Sequence, residues 1–288
     1  MKILALEKEK MGMNWDGAAD KQKKSMGKKI FTIALIFWYA AFLGQDSIRP
    51  GKILIVATNV DILGKNENGT FLIEIAYPFR HFVANGYDVD VVTPKGGSTA
   101  IYPKEFEAPG LDKIRKSELF ISKTRHSISP DAVKPADYVA VYYPVGYGQF
   151  FDVMNDRKIA AITARIYEQG GVVGTAGHGA VSLSDIKLSN GRYLVEGKKL
   201  TCFPWATEVS NMGVSDFGKL LPFNMEDTLK NRGADLIVCG AETRPGTNCA
   251  MIIDHKNRIV TASYADKAQW VAEQMVLLLA GKDIRTKE

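Results

Sequence analysis

The sequence predicts an α/β fold: a doubly wound, mainly parallel sheet with helices on both faces, in a single domain. Three observations predict it. Short apolar runs of strand length alternate with segments of helical spacing across residues 52–279. Runs such as 52–58 (KILIVAT) are apolar almost throughout, as strands covered on both faces are. One run, Val172–Ala176, stops abruptly at Gly177-His178-Gly179 ahead of a helix-like segment from Ala180. That is the strand, turn and helix of a nucleophile elbow.

Taken in order, 52–58 reads as the first parallel strand and 59–68 as a polar loop. Helical spacing through Phe71, Ile75, Phe79 and Phe82 marks a helix over 69–85, ended by Gly86 as a C′ residue. Residues 87–93 form the second strand. The polar segment 94–136 is longer than an ordinary connection and is expected to cover a site. Residues 137–143 (DYVAVYY) are a strand, and 156–169 a helix with Ile159, Ile162 and Ile166 on one face. Asn190-Gly191 signals a hairpin turn. A helix over 222–231 is expected to place Pro222 at N1. Short strands at 235–239, 250–253 and Ile259–Ala262 precede a last helix over 265–279. In such sheets ligands bind beyond the carboxyl ends of the strands, here the loops 59–69, 144–148 and 177–179.

The chain has 288 residues, enough to bury a full core. Its net charge of +5 is mostly local, because residues 1–29 hold eight lysines against four acidic side chains. Nothing in that balance calls for nucleic acid as a partner. Residues 1–29 read as a polar tail or an upstream mis-start, and 50–282 as the folded domain. Between them, residues 30–45 (IFTIALIFWYAAFLGQ) carry no charge and follow Lys28-Lys29. From Met26 this is a basic region followed by an apolar one, the layout of an export signal. It is short for a spanning helix, and Tyr39 and Phe42 make a poor cleavage site. It reads as an export signal, an uncleaved anchor associated with the membrane, or a core helix. The first two put the protein at the cell envelope or outside; without a working segment the protein is cytoplasmic. Three cysteines, Cys202, Cys239 and Cys249, form no disulfide framework, with one bridge left open. His81, His126 and His255 have no ligand spacing, so neither metal nor cofactor is expected.

An elbow needs a nucleophile, and its position here is Gly177, which has no side chain. Further motifs are spread over the domain: Gly69-Thr-Phe-Leu-Ile-Glu74, Gly86-Tyr-Asp-Val-Asp-Val-Val-Thr-Pro-Lys-Gly-Gly97, Leu188-Ser-Asn-Gly-Arg-Tyr-Leu-Val195 and Pro222-Phe-Asn-Met-Glu226. In this order they resemble the ThiJ/PfpI superfamily of the class I glutamine amidotransferase-like fold, in its branch of glutathione-independent glyoxalases and chaperone-like stress proteins. The resemblance implies Ala-Cys-His-Gly at the elbow, where this chain has Ala176-Gly177-His178-Gly179. It implies Gly-Gly-His-Gly on the oxyanion side, where Val145-Gly146-Tyr147-Gly148 stands. Glu74 and His178 match, and Glu208 is the candidate for the acidic partner.

Catalytic candidates are therefore Glu74, His178 and Glu208, with Gly177 as the vacated nucleophile position. Gly146, Tyr147, Gly148, Gly179 and Cys202 are expected around the pocket. Without sulfur no hemithioacetal or acyl-enzyme can form. The first functional reading is a catalytically degenerate member that binds a small carbonyl compound or a peptide. The alternative is an active glyoxalase, converting methylglyoxal to lactate, or a related hydrolase, using Glu74 and His178 with water or Cys202. A structural role at the envelope is a third. The resemblance also allows a homodimer.

Overall fold

Successive side chains of a strand point to opposite faces, and in the run KILIV all of Ile53, Leu54, Ile55 and Val56 are buried. Both faces must then be covered. In the computed structural model, which describes residues 51–102, 108–213, 216–240 and 248–281, they are. Six strands make the main sheet: β1 Lys52–Val56, β2 Asp88–Val92, β3 Tyr138–Tyr143, β4 Val172–Ala176, β5 Met251–Asp254 and β6 Ile259–Ala262. Their order is β2-β1-β3-β4-β6-β5, parallel except for β5, which pairs antiparallel with β6 at the edge. The helices are α1 Leu72–Ala84, α2 Leu111–Arg115, α3 Glu118–Arg125, α4 Arg157–Glu168, α5 Trp205–Asn211, α6 Met225–Asn231 and α7 Ala268–Leu279. The doubly wound α/β architecture expected from the pattern is the one observed.

The two sides of the sheet have separate cores. Ile53, Ile55, Ala140 and Tyr142 meet α1 and α7 through Ile75, Phe79, Phe82, Val271 and Met275. Leu54, Val56, Val141 and Tyr143 meet α4 through Ile159, Ile162 and Ile166, together with Leu183 and Leu194. Gly174 lets α7 approach β4 closely, since a Cβ there would stand 3.0 Å from both Met275 Cγ and Val271 Cγ1. Asp156 caps α4 by accepting from the backbone N–H groups of Lys158 and Ile159 at 2.8 and 3.0 Å.

Three expectations need correction. The segment after β4 is a 3₁₀ stretch, Gly177–Leu183, and begins at the elbow glycine itself. The helix expected from Pro222 starts at Met225, because Asn224 supplies the cap, accepting from Glu226 N–H at 2.9 Å. The run 235–239 contributes only Asp235–Leu236, paired with Lys199–Leu200 in a small parallel sheet outside the main one. The long 94–136 segment carries α2, α3 and 3₁₀ turns among its described residues. The apolar run 30–45 and the tail before it lie outside the described residues. No described helix is long and apolar enough to cross a membrane.

Candidate active site

Three loops leave the carboxyl ends of β1, β3 and β4 and meet, because parallel strands deliver them to one edge. Gln149 ties them together. Its Nε2 donates to the Val56 carbonyl at 3.2 Å, and Ser182 Oγ donates to its Oε1 at 2.7 Å. Glycines permit the close approach. A Cβ on Gly146 would lie 3.1 Å from the Gly69 carbonyl oxygen, and one on Gly179 would lie 2.5 Å from that of Tyr143. Gly148 backs onto the Thr58 side chain.

At the elbow, Gly177 has φ +50°, the left-handed region in which a side chain is strained. His178 follows, buried. Its Nε2 is 2.8 Å from Glu208 Oε2, and the Tyr147 hydroxyl donates to Glu208 Oε1 at 3.0 Å. Glu208 comes from α5, carried there when the chain leaves the small sheet and passes Gly177, with Phe203 N–H donating to the Gly177 carbonyl at 3.4 Å. Both oxygens of this buried side chain are thereby engaged, as burial of a polar group requires. Rings enclose the imidazole. Tyr147 and Phe203 each bring a centroid to 4.6 Å, and Phe150 presents one at 5.9 Å. Phe217 stacks on Tyr147 at 5.1 Å. Burial, then the charge of Glu208 beside it, pushes the Tyr147 hydroxyl far above its ordinary range, so it stays a donor. Nδ1 of His178 is buried and has no hydrogen-bond partner among the described residues.

Glu74 is fully buried on α1. Pro78, one turn further on, has no N–H to give the Glu74 carbonyl. That carbonyl instead accepts from the Tyr142 hydroxyl at 2.9 Å, which fastens α1 to β3 at this point. Cys202 lies in the apolar core with Leu183 and Met225, 0 % exposed. Burial, and secondarily the charge of Glu226, pushes its thiol well above the usual range. A thiol so placed stays protonated, and only a thiolate attacks. Ser182 is also buried, its hydroxyl committed to Gln149.

The structure thus joins Tyr147, Glu208 and His178 in one network next to Gly177. A residue not singled out from the sequence as part of the site also stands there. A Cβ on Gly177 would be 2.7 Å from Val145 Cγ2. The available signal was the loop's first position, Val145, where the pattern it resembles has glycine. A cavity of about 730 Å³ lies elsewhere, against α2 and α3, lined by Leu72, Thr99, Tyr102, Phe120 and Arg125 among others. Among the described residues, no group of three or more His, Cys, Asp or Glu side chains is placed to hold a metal ion.

Known proteins agree with this architecture. Residues 66–276 match the DJ-1/PfpI family. The glutathione-independent glyoxalase HSP31 of Saccharomyces cerevisiae is 30 % identical over 200 residues, 65 % of this chain and 83 % of its own length. The probable glutathione-independent glyoxalase SNO4 of the same yeast is 32 % identical over 159 residues, 52 % of this chain; the matched stretch covers 65 % of that relative. Among solved structures, Rapid Encystment Protein 24 KDa of Francisella tularensis superposes with a TM-score of 0.69 at 25 % identity, covering 80 % of this chain and 99 % of its own. Glyoxalase III of Candida albicans shares the fold, with a TM-score of 0.68 at 23 % identity over 80 % of this chain and 98 % of its own. With the match extending from the loop before α1 into α7, the chain belongs to the DJ-1/PfpI family.

Proposed function

We propose that this chain is a glyoxalase-branch protein that has lost covalent chemistry and uses the inherited site to bind a small carbonyl compound or a peptide. One observation carries the reading: the buried His178–Glu208 pair adjoins a residue with no side chain, while Cys202 is a protonated core thiol. A base with nothing to deprotonate forms no hemithioacetal with an aldehyde.

The test is conversion of methylglyoxal to lactate by the purified chain. The expected result is no lactate above the uncatalysed rate. Turnover that disappears in Glu74→Gln would overturn the degenerate reading.

A hydrolytic reading is favoured by one atom, Nδ1 of His178, which is buried beside Gly177 with no hydrogen-bond partner among the described residues and is the ring nitrogen left to act on a water. It requires turnover of an ester or of methylglyoxal that is lost in His178→Ala. The methylglyoxal assay, run beside an ester-hydrolysis assay on the same variants, separates the two.

The place of action is read from the cysteines. Cys239 and Cys249 form a disulfide, with Cα atoms 5.3 Å apart. Such bonds persist in oxidising compartments. Together with the basic and apolar segment at 26–45, this supports export from the cytoplasm.

A further inference from the structure

Deletion of a nucleophile leaves a space, and close-packed interiors do not keep spaces. We propose that Val145 fills the volume vacated at Gly177, so that the loss of the nucleophile is locked by a pair of residues rather than resting on one. The inference builds on the reading of Gly177 as the vacated position and adds a residue from a different loop.

The geometry is specific. A Cβ on Gly177 would meet Val145 Cγ2 at 2.7 Å, Cγ1 at 3.2 Å and Cβ at 3.5 Å. Carbon atoms pack comfortably at about 3.5–4.0 Å, so both methyls are too close and only the Val145 Cβ is acceptable. Rotation reduces the contact without clearing it, since a methyl at the present Cγ1 position alone would still stand 3.2 Å from that Cβ. A valine side chain has three staggered positions and two methyls to place in them. Two of those positions are the ones now facing Gly177, so every rotamer leaves a methyl in at least one. Val145 is itself 3 % exposed, and β-branching makes it stiff. Tyr147, two residues along the same loop, closes the neighbouring side by packing its ring at a tilt against His178 and bonding Glu208. The loop carrying Val145 and Tyr147 is the one where the resembling pattern has Gly-Gly-His-Gly. That pattern has glycine where Val145 stands and cysteine where Gly177 stands, and in this chain the valine faces the glycine.

The lock predicts that a thiol restored at 177 is useless until position 145 is cleared. Three variants of the full chain test this: Gly177→Cys, Val145→Ala with Gly177→Cys, and Val145→Gly with Gly177→Cys. Each is treated with iodoacetamide and followed by intact mass, alongside thermal denaturation. Cys202 is buried, and Cys239 and Cys249 are bonded, so the introduced thiol is the one that reports. Gly177→Cys is expected to melt below the unsubstituted chain and to alkylate slowly. Either double variant is expected to melt above Gly177→Cys and to alkylate about ten-fold faster or more, as access to a thiol beside an imidazole permits. Equal alkylation rates in the single and double variants would overturn the lock. So would double variants no more stable than Gly177→Cys, including a failure of both to fold. Lactate formation by the unsubstituted chain is a separate result: it sinks the degenerate reading without altering this comparison.

Discussion

Tyr147 shows how one side chain holds the candidate site in shape. Its hydroxyl satisfies one oxygen of a carboxylate whose other oxygen serves His178, and all three residues are buried. Removing a partner from a buried acceptor costs more than an average hydrogen bond contributes, because the acceptor stays desolvated. Tyr147→Phe should therefore lower stability by about 1–3 kcal/mol in urea denaturation; no change would mean that the hydroxyl does not serve Glu208. The glycine at the turn was legible in the sequence, since the strand runs out at Ala176-Gly177-His178-Gly179. The role of Val145 was not. It depends on the facing of two loops that the sequence keeps apart, and only the packing of β3 beside β4 brings them together.

Among the elements, β2 pairs with β1 at the sheet edge, and one of its acidic side chains ties it to three neighbours. Asp90 accepts from Lys123 of α3 at 2.7 Å, from the Tyr138 hydroxyl of β3 at 2.8 Å, and from Lys52 of β1 at 3.3 Å. Burial alone would raise its pKa, but the hydrogen bonds from Lys123 and Tyr138, with the lysine charges, pull it below the ordinary 3.8. A carboxyl whose folded pKa is depressed contributes stability above its unfolded pKa and loses it as pH falls through the folded value. Asp90→Asn is thus expected to melt below the unsubstituted chain at pH 7, with the gap closing as pH drops below 3.8. A gap independent of pH would show that the charge is not what matters. The strands themselves were readable because a parallel sheet buries whole apolar runs. Helix starts were less so. Both Pro222 and Asn224 are reasonable first-turn signals, and the chain uses the asparagine because its side chain satisfies a backbone N–H. The helix-like stretch at the elbow is a 3₁₀ stretch, and apolar spacing does not distinguish that from an α-helix over so few residues.

For the molecule as a whole, the Cys239–Cys249 bridge makes the export reading testable. Trapping thiols in acid-quenched cells, then denaturing, should label Cys202 alone until a reductant is added, and a tagged chain should fractionate outside the cytoplasm. Free Cys239 and Cys249 in a cytoplasmic chain would overturn export. The sequence by itself determined the α/β class, the end of a strand at Gly177 and the absence of a side chain there. These depend on local pattern: hydrophobic runs, glycine punctuation and residue identity at one turn. It also made Glu208 a candidate partner for His178, but the 2.8 Å contact exists only because α5 folds back over the elbow. Tertiary structure alone decided that Cys202 belongs to the core, that Pro78 leaves a carbonyl for Tyr142, and that Val145 stands where a side chain on Gly177 would go. Each is a contact between segments distant in the chain. Such contacts are set by how two faces of a sheet are covered, which no single stretch of residues encodes.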